Sequence, residues 1–327
     1  MFNLFFACIV LVTFISSSEC LLSASKIIQF SNGTFLENLT VSSNGQLLLG
    51  TLTAPHVYGL DPTSASPDLQ VMHTFPDLQS TAGMAEVFPD IFAVITGNCN
   101  PSLHSSSRGT MVIWTLDLRS KIVVAKKIVD VPEAFILNGI TTVPGSPGVI
   151  LLSDSYAGSI YGLNVVTGNY SIVLSSPDFS PGNSTSALGN GLGINGIHAR
   201  NGMVFFANSV KQTMGRFPLA VSGDSFSAGP VEITATLQPA NSSPDDFAFD
   251  VRGNAWIATH PNSLNVVTPA GKQILIAGGG NTTQLQQPTS AAFGRGSVKE
   301  ESTLYVTVTG NPDKAGVFVG AGVYALD

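Results

Sequence analysis

The sequence that decides the fold runs from residue 137 to residue 154: LNGITTV at 137–143, a short break, and PGVILLSD at 147–154. The first run is apolar or β-branched except for Asn138 and Gly139, and the second is apolar until it ends on Ser153 and Asp154. Val, Ile and Thr favour strands, whereas Pro and Gly favour turns. The segment therefore predicts a β-hairpin whose first strand carries one polar position, which we call the pivot.

The same unit recurs along the chain, and recurrence at a near-constant spacing indicates a repeat architecture. The pivots fall at positions 38, 83, 138, 195, 245 and 289, so that neighbouring pivots are 44 to 57 residues apart. This spacing accommodates four short strands, which bury their sheet faces only by stacking against neighbouring units. We therefore predict an all-β fold, a six-bladed β-propeller with four-stranded antiparallel blades. A spare N-terminal strand at residues 26–30 is expected to close the last blade, because this removes an exposed sheet edge.

The charge of the chain narrows the choice of partners. It has 14 Lys and Arg against 21 Asp and Glu, a net charge of −7, and no basic run. Nucleic acids and anionic membrane surfaces bind basic patches, so this composition argues against both.

The N-terminus predicts export. Residues 2–15 are apolar apart from Asn3 and Thr13, and serines follow at positions 16–18. A membrane span needs about 20 apolar residues, so this shorter stretch indicates a signal peptide and no membrane span is expected. We predict a signal peptide at 1–18 and a single propeller domain at 19–327. The mature chain is expected in the secretory pathway, either secreted or vesicular.

Glycosylation and a disulfide are expected in that compartment. Cys8 leaves with the signal peptide, so Cys20 and Cys99 remain to pair, with two free thiols as the alternative. Asn38 lies in a predicted inner strand and is expected to be unmodified. The other acceptor sequences place predicted glycans at Asn32, Asn169, Asn183, Asn241 and Asn281.

The pivots are expected to converge, because the first strand of each propeller blade lines the central channel. Asn138, Asn195 and Asp245, with Glu37 directly before the pivot at position 38, would bring two carboxylates and two amides together there. Hard divalent cations such as Ca²⁺ or Mg²⁺ take such oxygen ligands. The alternative interpretation is a hydrogen-bonded polar plug or a network that faces a substrate, and the sequence leaves both open.

A second layer of polar residues is predicted where the second strands end, around the rim of a ligand pocket. His260 and Asp154 are the candidates for proton transfer there. Met84 is a candidate for an apolar wall. No Gly-x-Ser-x-Gly or His-Glu-x-x-His motif occurs, so the common hydrolase signatures are absent. The remaining rim candidates for substrate contact are Thr51, Thr53, Tyr58, Tyr156 and Asn208.

The pivots resemble, in order, the inner-strand positions of the SMP-30/gluconolactonase-like propellers. The resemblance covers about residues 26–327 and rests on Glu37, Asn138-Gly139, Asn195-Gly196-Ile197 and Pro244-Asp245. It implies that Glu37, Asn138, Asn195 and Asp245 converge on a divalent metal in the channel. The sequence departs from the family pattern at Glu37-Asn38-Leu39, where the family has Glu-Gly-Pro. It departs again at Pro244-Asp245-Asp246, where the family has Pro-Asp-Gly.

A closer resemblance is to the fungal hetero-Diels–Alderases of tropolone sesquiterpenoid biosynthesis, carried by residues 153–162 and 245–250. It implies the union of a tropolone-derived ortho-quinone methide with a humulene-type sesquiterpene alkene, a reaction that requires no cofactor. The expected partners are thus a polyketide tropolone and a sesquiterpene. Asn138, Asn195 and Asn208 become candidate donors to the quinone methide oxygen, and Asp154 or His260 a candidate acid.

Two other functions stay open at this point. One is a metal-dependent lactonase or esterase of the SMP-30/gluconolactonase type, in which Asp245 would activate water. The other is a secreted binding propeller without catalysis. The sequence leaves the exact substrates, the stereochemistry and the oligomeric state undecided.

Overall fold

The computed structural model describes residues 21–101, 105–182 and 191–327, and almost all of their regular structure is β. The chain opens with β1 (Ser25–Gln29), which belongs to the last blade. Blade one consists of β2 (Leu36–Val41), β3 (Leu47–Thr51), β4 (His56–Leu60) and β5 (Leu69–Thr74).

Blade two adds a small hairpin to its four strands. The four are β6 (Ser80–Phe88), β7 (Ile91–Gly97), β10 (Val112–Asp117) and β11 (Val124–Asp130). The hairpin pairs β8 (Cys99–Asn100) with β9 (Ser105–Ser106). Blade three consists of β12 (Leu137–Thr142), β13 (Val149–Asp154), β14 (Ser159–Asn164) and β15 (Tyr170–Ser175).

Blade four has a long third strand that pairs with β20 along its first half and with β19 along its second half. Its strands are β16 (Ile194–Arg200), β17 (Met203–Asn208), β18 (Thr213–Ser222), β19 (Ser225–Ala228) and β20 (Glu232–Thr236). Blade five consists of β21 (Ser243–Phe249), β22 (Ala255–His260), β23 (Ser263–Val267) and β24 (Gln273–Gly278).

Blade six joins the two ends of the chain. Its strand order is β1, β27 (Phe318–Leu326), β26 (Leu304–Pro312) and β25 (Pro288–Phe293). The short helix α1 (Val298–Ser302) connects β25 to β26. The predicted closing strand is therefore confirmed, shifted by one residue from the expected 26–30. Phe30, just after β1, donates its backbone N–H to Ala321 and packs into the core. This pairing covers the edge of β27.

The six innermost strands contact one another in a closed ring, in the order β2, β6, β12, β16, β21 and β25. Apolar clusters fill the spaces between neighbouring blades, as where Phe179, Phe206 and Phe217 pack together at blades three and four. The predicted six-bladed propeller is confirmed. Among the described residues no helix has the length and apolar character that crossing a membrane requires.

Every inner strand is bulged at its pivot. The ladder register to the second strand breaks between Leu137 and Ile140 in blade three, and at the equivalent point in the other five blades. A β-bulge turns side chains away from the regular alternation. The bulges at Asn138, Asn195 and Asp245 therefore present these side chains to the channel cavity.

Glycines let these bulges approach one another. A Cβ on Gly139 would lie 2.4 Å from the backbone oxygen of Asn195, and one on Gly83 would lie 2.4 Å from that of Asn138. Real Cβ atoms do not come that close to a carbonyl oxygen. The Asn-Gly pairs thus combine a polar group for the channel with the space that the next inner strand occupies.

The predicted disulfide and N-terminal features fall at the edge of the described chain. The signal peptide at 1–18 and Cys20 lie outside the described residues, as does Asn183. Leu22 donates to Ile276 on the outer strand of blade five, across the ring from Cys99 in blade two. The Cys20–Cys99 pairing stays a prediction, and Cys99 bonds to no other described cysteine. The other four predicted glycan sites, Asn32, Asn169, Asn241 and Asn281, are exposed.

Candidate active site in the central channel

One mouth of the channel opens into a cavity of about 400 Å³. This volume is in the range of small-molecule sites. Its apolar wall includes Phe35, Leu52, Ile136, Leu192 and Phe318. Its polar side carries Glu37 and the pivots Asn138, Asn195 and Asp245, together with His260, Gln287, Ser209, Ser243 and Thr309. The cavity is therefore two-sided, with apolar walls above a ring of polar groups.

The four predicted ring residues do come together, and each has a buried oxygen without a hydrogen-bond partner. These atoms are Glu37 Oε1, Asn138 Oδ1, Asn195 Oδ1 and Asp245 Oδ1. Buried polar atoms are normally paired, so four unpaired oxygens facing one channel indicate a bound group or a substrate that pairs with them. The side-chain amide of Asn138 forms no hydrogen bond with any described residue.

The second amide of the ring is held in place. Asn195 Nδ2 donates to Ser209 Oγ at 3.0 Å, and Ser209 Oγ donates to the backbone oxygen of Pro244 at 2.8 Å. Ser243 Oγ donates to the backbone oxygen of Ser209 at 3.0 Å. These bonds fix the orientation of Asn195 relative to Asp245 on the next blade.

His260 links Asp245 to blade six. Its Nε2 lies 2.9 Å from Asp245 Oδ2, and its Nδ1 lies 2.5 Å from Gln287 Oε1. Gln287 Nε2 donates to Asn311 Oδ1 at 3.3 Å, so its oxygen is the atom that faces the imidazole. Because an amide oxygen only accepts, Nδ1 of His260 carries a proton. A second proton lies between Nε2 of His260 and Oδ2 of Asp245.

The pKa values of this cluster are shifted by burial and by mutual charge. Burial raises the pKa of Glu37 well above its usual 4.5, and the nearby carboxylates of Asp245 and Asp246 raise it further. Burial also raises the pKa of Asp245, although the hydrogen bond from His260 opposes the shift. Burial alone would lower the pKa of His260, but its bond to Asp245 outweighs burial and raises it above 6.5. The protonated forms of Glu37, Asp245 and His260 therefore persist to higher pH in the cavity than in water.

A second polar layer lies beneath the ring. Asp246 accepts from Asn38 Nδ2 at 2.9 Å, and its other oxygen lies 3.0 Å from His198 Nε2. Ser290 Oγ also reaches Asp246, at 3.4 Å. Unlike the ring above it, this layer satisfies its carboxylate within the protein. It acts as the floor of the site.

Several rim residues predicted from the sequence lie outside the cavity. Asp154 is fully buried and accepts backbone N–H bonds from Phe135, Ile136, Tyr156 and Ala157. It therefore shapes the loop that brings Ile136 to the wall and does not face the cavity.

Other rim residues have similar supporting positions. Thr53 Oγ1 accepts from the backbone of Phe35, and Thr51 bonds within its own turn. Tyr58 packs edge-on against Phe30. Asn208 Nδ2 donates to the backbone oxygens of Asp178 and Ser180.

The two remaining predicted contacts differ from each other. Met84 is buried in the core between blades one and two, beside Phe75 and Phe92, and does not line the cavity. Tyr156 is 44% exposed and stacks on Phe135 at a centroid distance of 6.3 Å. It belongs to the outer surface of the rim.

Sequence reasoning missed Gln287 and the aromatic wall. Gln287 precedes its strand in a turn with no motif around it, and Phe35 and Phe318 come from opposite ends of the chain. Their rings meet edge-on at 4.8 Å. The sequence signal for Phe35 is its position directly before the first strand of blade one.

Cys99 also lines the cavity, and burial raises the pKa of its thiol, which disfavours a nucleophilic role.

Comparison with known sequences agrees with the resemblance to hetero-Diels–Alderases. No protein-family model matches the chain. It is 28% identical over 303 residues to a Phoma sp. protein named as a candidate hetero-Diels–Alderase, covering 85% of this chain and 84% of that protein. A Sarocladium schorii protein with the same kind of name is 25% identical over 307 residues, covering 84% of this chain and 75% of that protein.

Comparison with solved structures supports the fold. A luciferin-regenerating enzyme superposes with a TM-score of 0.66 at 18% identity, over 93% of this chain and 95% of that one. The calcium-binding protein regucalcin of Agrobacterium tumefaciens gives 0.64 at 14% identity, over 93% of both chains. The chain therefore shares the propeller architecture of the SMP-30/regucalcin-like proteins.

Proposed function

We propose that this chain is a hetero-Diels–Alderase that joins a tropolone-derived ortho-quinone methide to a humulene-type sesquiterpene alkene. The observation that carries the proposal is the two-sided cavity, in which an apolar wall faces fixed polar groups with unpaired atoms. The terpene would pack against Phe35, Leu52 and Phe318. The oxygenated partner would pair with the ring. The relatives from Phoma and Sarocladium support the same reaction class.

The catalytic effect required for this chemistry is mainly positional. A cycloaddition forms its new bonds directly between two partners, so holding them in near-attack geometry removes much of the entropic barrier. The unbonded amide of Asn138 would donate to the quinone methide oxygen and stabilise the charge that develops there. Asn195, whose Nδ2 is held by Ser209, would accept a hydrogen bond from a hydroxyl of a substrate at its unpaired Oδ1.

The cluster of His260, Asp245 and Glu37 suits the dehydration that precedes cycloaddition. The imidazolium of His260 would give its proton to the departing hydroxyl of a hydroxymethyl tropolone, which leaves as water when the carbon–oxygen bond breaks. The proton of the ring hydroxyl would pass to a carboxylate of Asp245 or Glu37. What remains is the neutral ortho-quinone methide. Asp154, enclosed by backbone donors, is not part of this route.

The direct test incubates the purified protein with a hydroxymethyl tropolone and a humulene-type alcohol and follows adduct formation. Asn138→Ala is expected to slow the reaction by about 10²–10³-fold, as for other preorganised donors. Asn164→Ala, which removes an amide on the partly exposed end of β14, is the matched control and should leave the rate unchanged. Adduct that forms no faster than in buffer would refute the proposal.

A specific observation favours a second candidate, a metal-dependent lactonase or esterase. The four unpaired oxygens of Glu37, Asn138, Asn195 and Asp245 are hard donors that fit Ca²⁺ or Mg²⁺. In the described part of the chain, no three His, Cys, Asp or Glu side chains cluster closely enough to hold a metal ion. A cation in the channel would therefore need the amide oxygens of Asn138 and Asn195 as well as the two carboxylates. A bound cation would supply polarisation of a substrate carbonyl. Asp245 would then accept a proton from the attacking water.

Chelation separates the two candidates. The cycloaddition should persist in excess chelator, whereas lactone opening should stop and should return on addition of Ca²⁺ or Mg²⁺. Glu37→Gln and Asp245→Asn should be the most damaging changes for a lactonase. Turnover of neither substrate class would favour a binding propeller without catalysis.

A further inference from the structure

A second cavity of about 330 Å³ lies between blades four and five. Strands β16 and β21 begin at the channel cavity, near Asn195 and Asp245, and end at this second cavity with Arg200 and Phe249. Five residues of extended strand span about 16 Å, so the two cavities are on opposite faces of the propeller. We call the second cavity the basal groove.

The basal groove concentrates positive charge in an acidic protein. It contains Arg200, Arg216 and Arg252, three of the six arginines in a chain with a net charge of −7. Arg216 is neutralised by Glu232, whose Oε2 lies 2.9 Å from its Nε. The other two guanidinium groups form no ion pair with a carboxylate of any described residue.

The two unpaired arginines differ in how they are held. Arg200 donates to the backbone oxygen of Asp250 at 3.0 Å and to that of Val251 at 3.5 Å, which fixes its guanidinium at the groove. Arg252 is exposed, and its side chain makes no hydrogen bond within the described chain. One arginine is thus preorganised and the other is free to close on a ligand.

The rest of the groove is apolar and adaptable. Phe205 and Phe249 meet edge-on at 4.9 Å, and the guanidinium of Arg200 lies 5.4 Å from the ring of Phe249. The thioethers of Met203 and Met214 line the same space. Methionine side chains adapt to apolar ligands of varied shape.

We propose that the basal groove binds an organic monocarboxylate with an apolar body, independently of the chemistry in the channel. The carboxylate would pair with Arg252 and Arg200, because a guanidinium matches a carboxylate in a planar, two-bond geometry. The apolar body would cover Phe205, Phe249 and the two methionines. The groove suits a ligand with a single negative charge. Glu232 already offsets the charge of Arg216. The carboxylate of Asp250 lies beside Arg252, because it accepts a hydrogen bond from the Arg252 backbone N–H at 2.9 Å.

The test measures the binding of decanoate to the full chain by calorimetry at low ionic strength. Saturable binding is expected, and Arg252→Gln should weaken it by about 10- to 100-fold, the usual effect of losing a charge-assisted bond. Arg119→Gln, an exposed arginine paired with Asp117 on blade two, is the matched control and should bind decanoate like the wild type. Decanol should bind at least tenfold more weakly than decanoate.

Three results would each overturn the proposal. One is the absence of saturable decanoate binding, and another is equal affinity for decanoate and decanol. The third is unchanged affinity in Arg252→Gln, which would place the ligand elsewhere, including the channel cavity. Because Arg252 contributes no side-chain bond to the fold, the variant should melt at the wild-type temperature. Cycloaddition by that variant at the wild-type rate would separate this site from the channel function.

Discussion

Nε2 of His260 lies 2.9 Å from Oδ2 of Asp245, joining the end of the second strand of blade five to the pivot of the same blade. The imidazole is thereby placed against the channel ring with its other nitrogen bonded to Gln287. This contact links a rim residue to the ring, and it raises the pKa of the candidate acid.

The first prediction concerns the pH dependence of adduct formation. The charged form of His260 is the proposed acid, and Asp245 raises its pKa above 6.5, so the rate should fall as pH rises through that raised value. The rate should also fall at low pH, because the carboxylate that accepts the ring-hydroxyl proton is then protonated. Asp245→Asn removes the stabilising charge, and burial then lowers the pKa of His260. Rate profiles between about pH 5 and 9 should show the alkaline decline shifted to lower pH. A profile that Asp245→Asn leaves unmoved would contradict this role for the pair.

The second prediction concerns the stability cost of Glu37. Its pKa is raised in the folded protein, so its contribution to stability is fully present below the unfolded value of 4.5 and is lost as pH rises through the folded value. Glu37→Gln should therefore stabilise the protein at pH 7.5 by about 1–3 kcal/mol and change little at about pH 4.

Urea unfolding at both pH values, in buffer with chelator, measures this effect. Glu301→Gln, an exposed carboxylate in α1, is the control and should stay within about 0.5 kcal/mol of the wild type. Equal stability of Glu37→Gln and wild type at pH 7.5 would show that the carboxyl carries no buried charge.

The third prediction concerns the spacing of the inner strands. Gly139→Ala would place its Cβ 2.4 Å from the backbone oxygen of Asn195, so the strands must separate. We expect a loss of about 1–3 kcal/mol in stability, together with slower adduct formation because Asn195 shifts.

Gly202→Ala provides the comparison. Gly202 has φ +73° with no atom within 4 Å of an added Cβ, so the cost there is backbone strain of about 1–2 kcal/mol. That variant should keep the wild-type rate. If both variants lose activity in proportion to stability, the close approach at Gly139 does not position the ring.

The fourth prediction concerns closure. Deletion of residues 19–30 removes β1 and Phe30 and exposes the edge of β27, so the truncated protein should melt lower and aggregate. Removal of residues 19–21 alone keeps both the strand and the hydrogen bond from Leu22 to Ile276, and serves as the control. Light scattering and thermal melting give the readout, and a soluble β1 deletion with the wild-type melting temperature would contradict the prediction.

The sequence by itself determined the architecture and the ring. The pivots repeat because each blade places one strand at the axis, and the spacing of a four-stranded unit is a local property of the chain. The pivots Asn138, Asn195 and Asp245 follow from this repeat, whereas Glu37 follows from the resemblance to the SMP-30/gluconolactonase-like propellers. The closing strand followed from the same count of strands.

Only the tertiary structure decided which neighbours join that ring and which side chains turn away. Asp154 and Asn208 occupy equivalent strand ends to His260, yet the first two satisfy backbone groups of nearby loops while His260 reaches Asp245. Gln287 and Phe318 reach the cavity from turns and strands whose local sequence shows no pattern. The physical reason is that periodicity sets the position of a strand, whereas the direction of a side chain at a bulge or loop depends on the hydrogen bonds and contacts offered by distant segments.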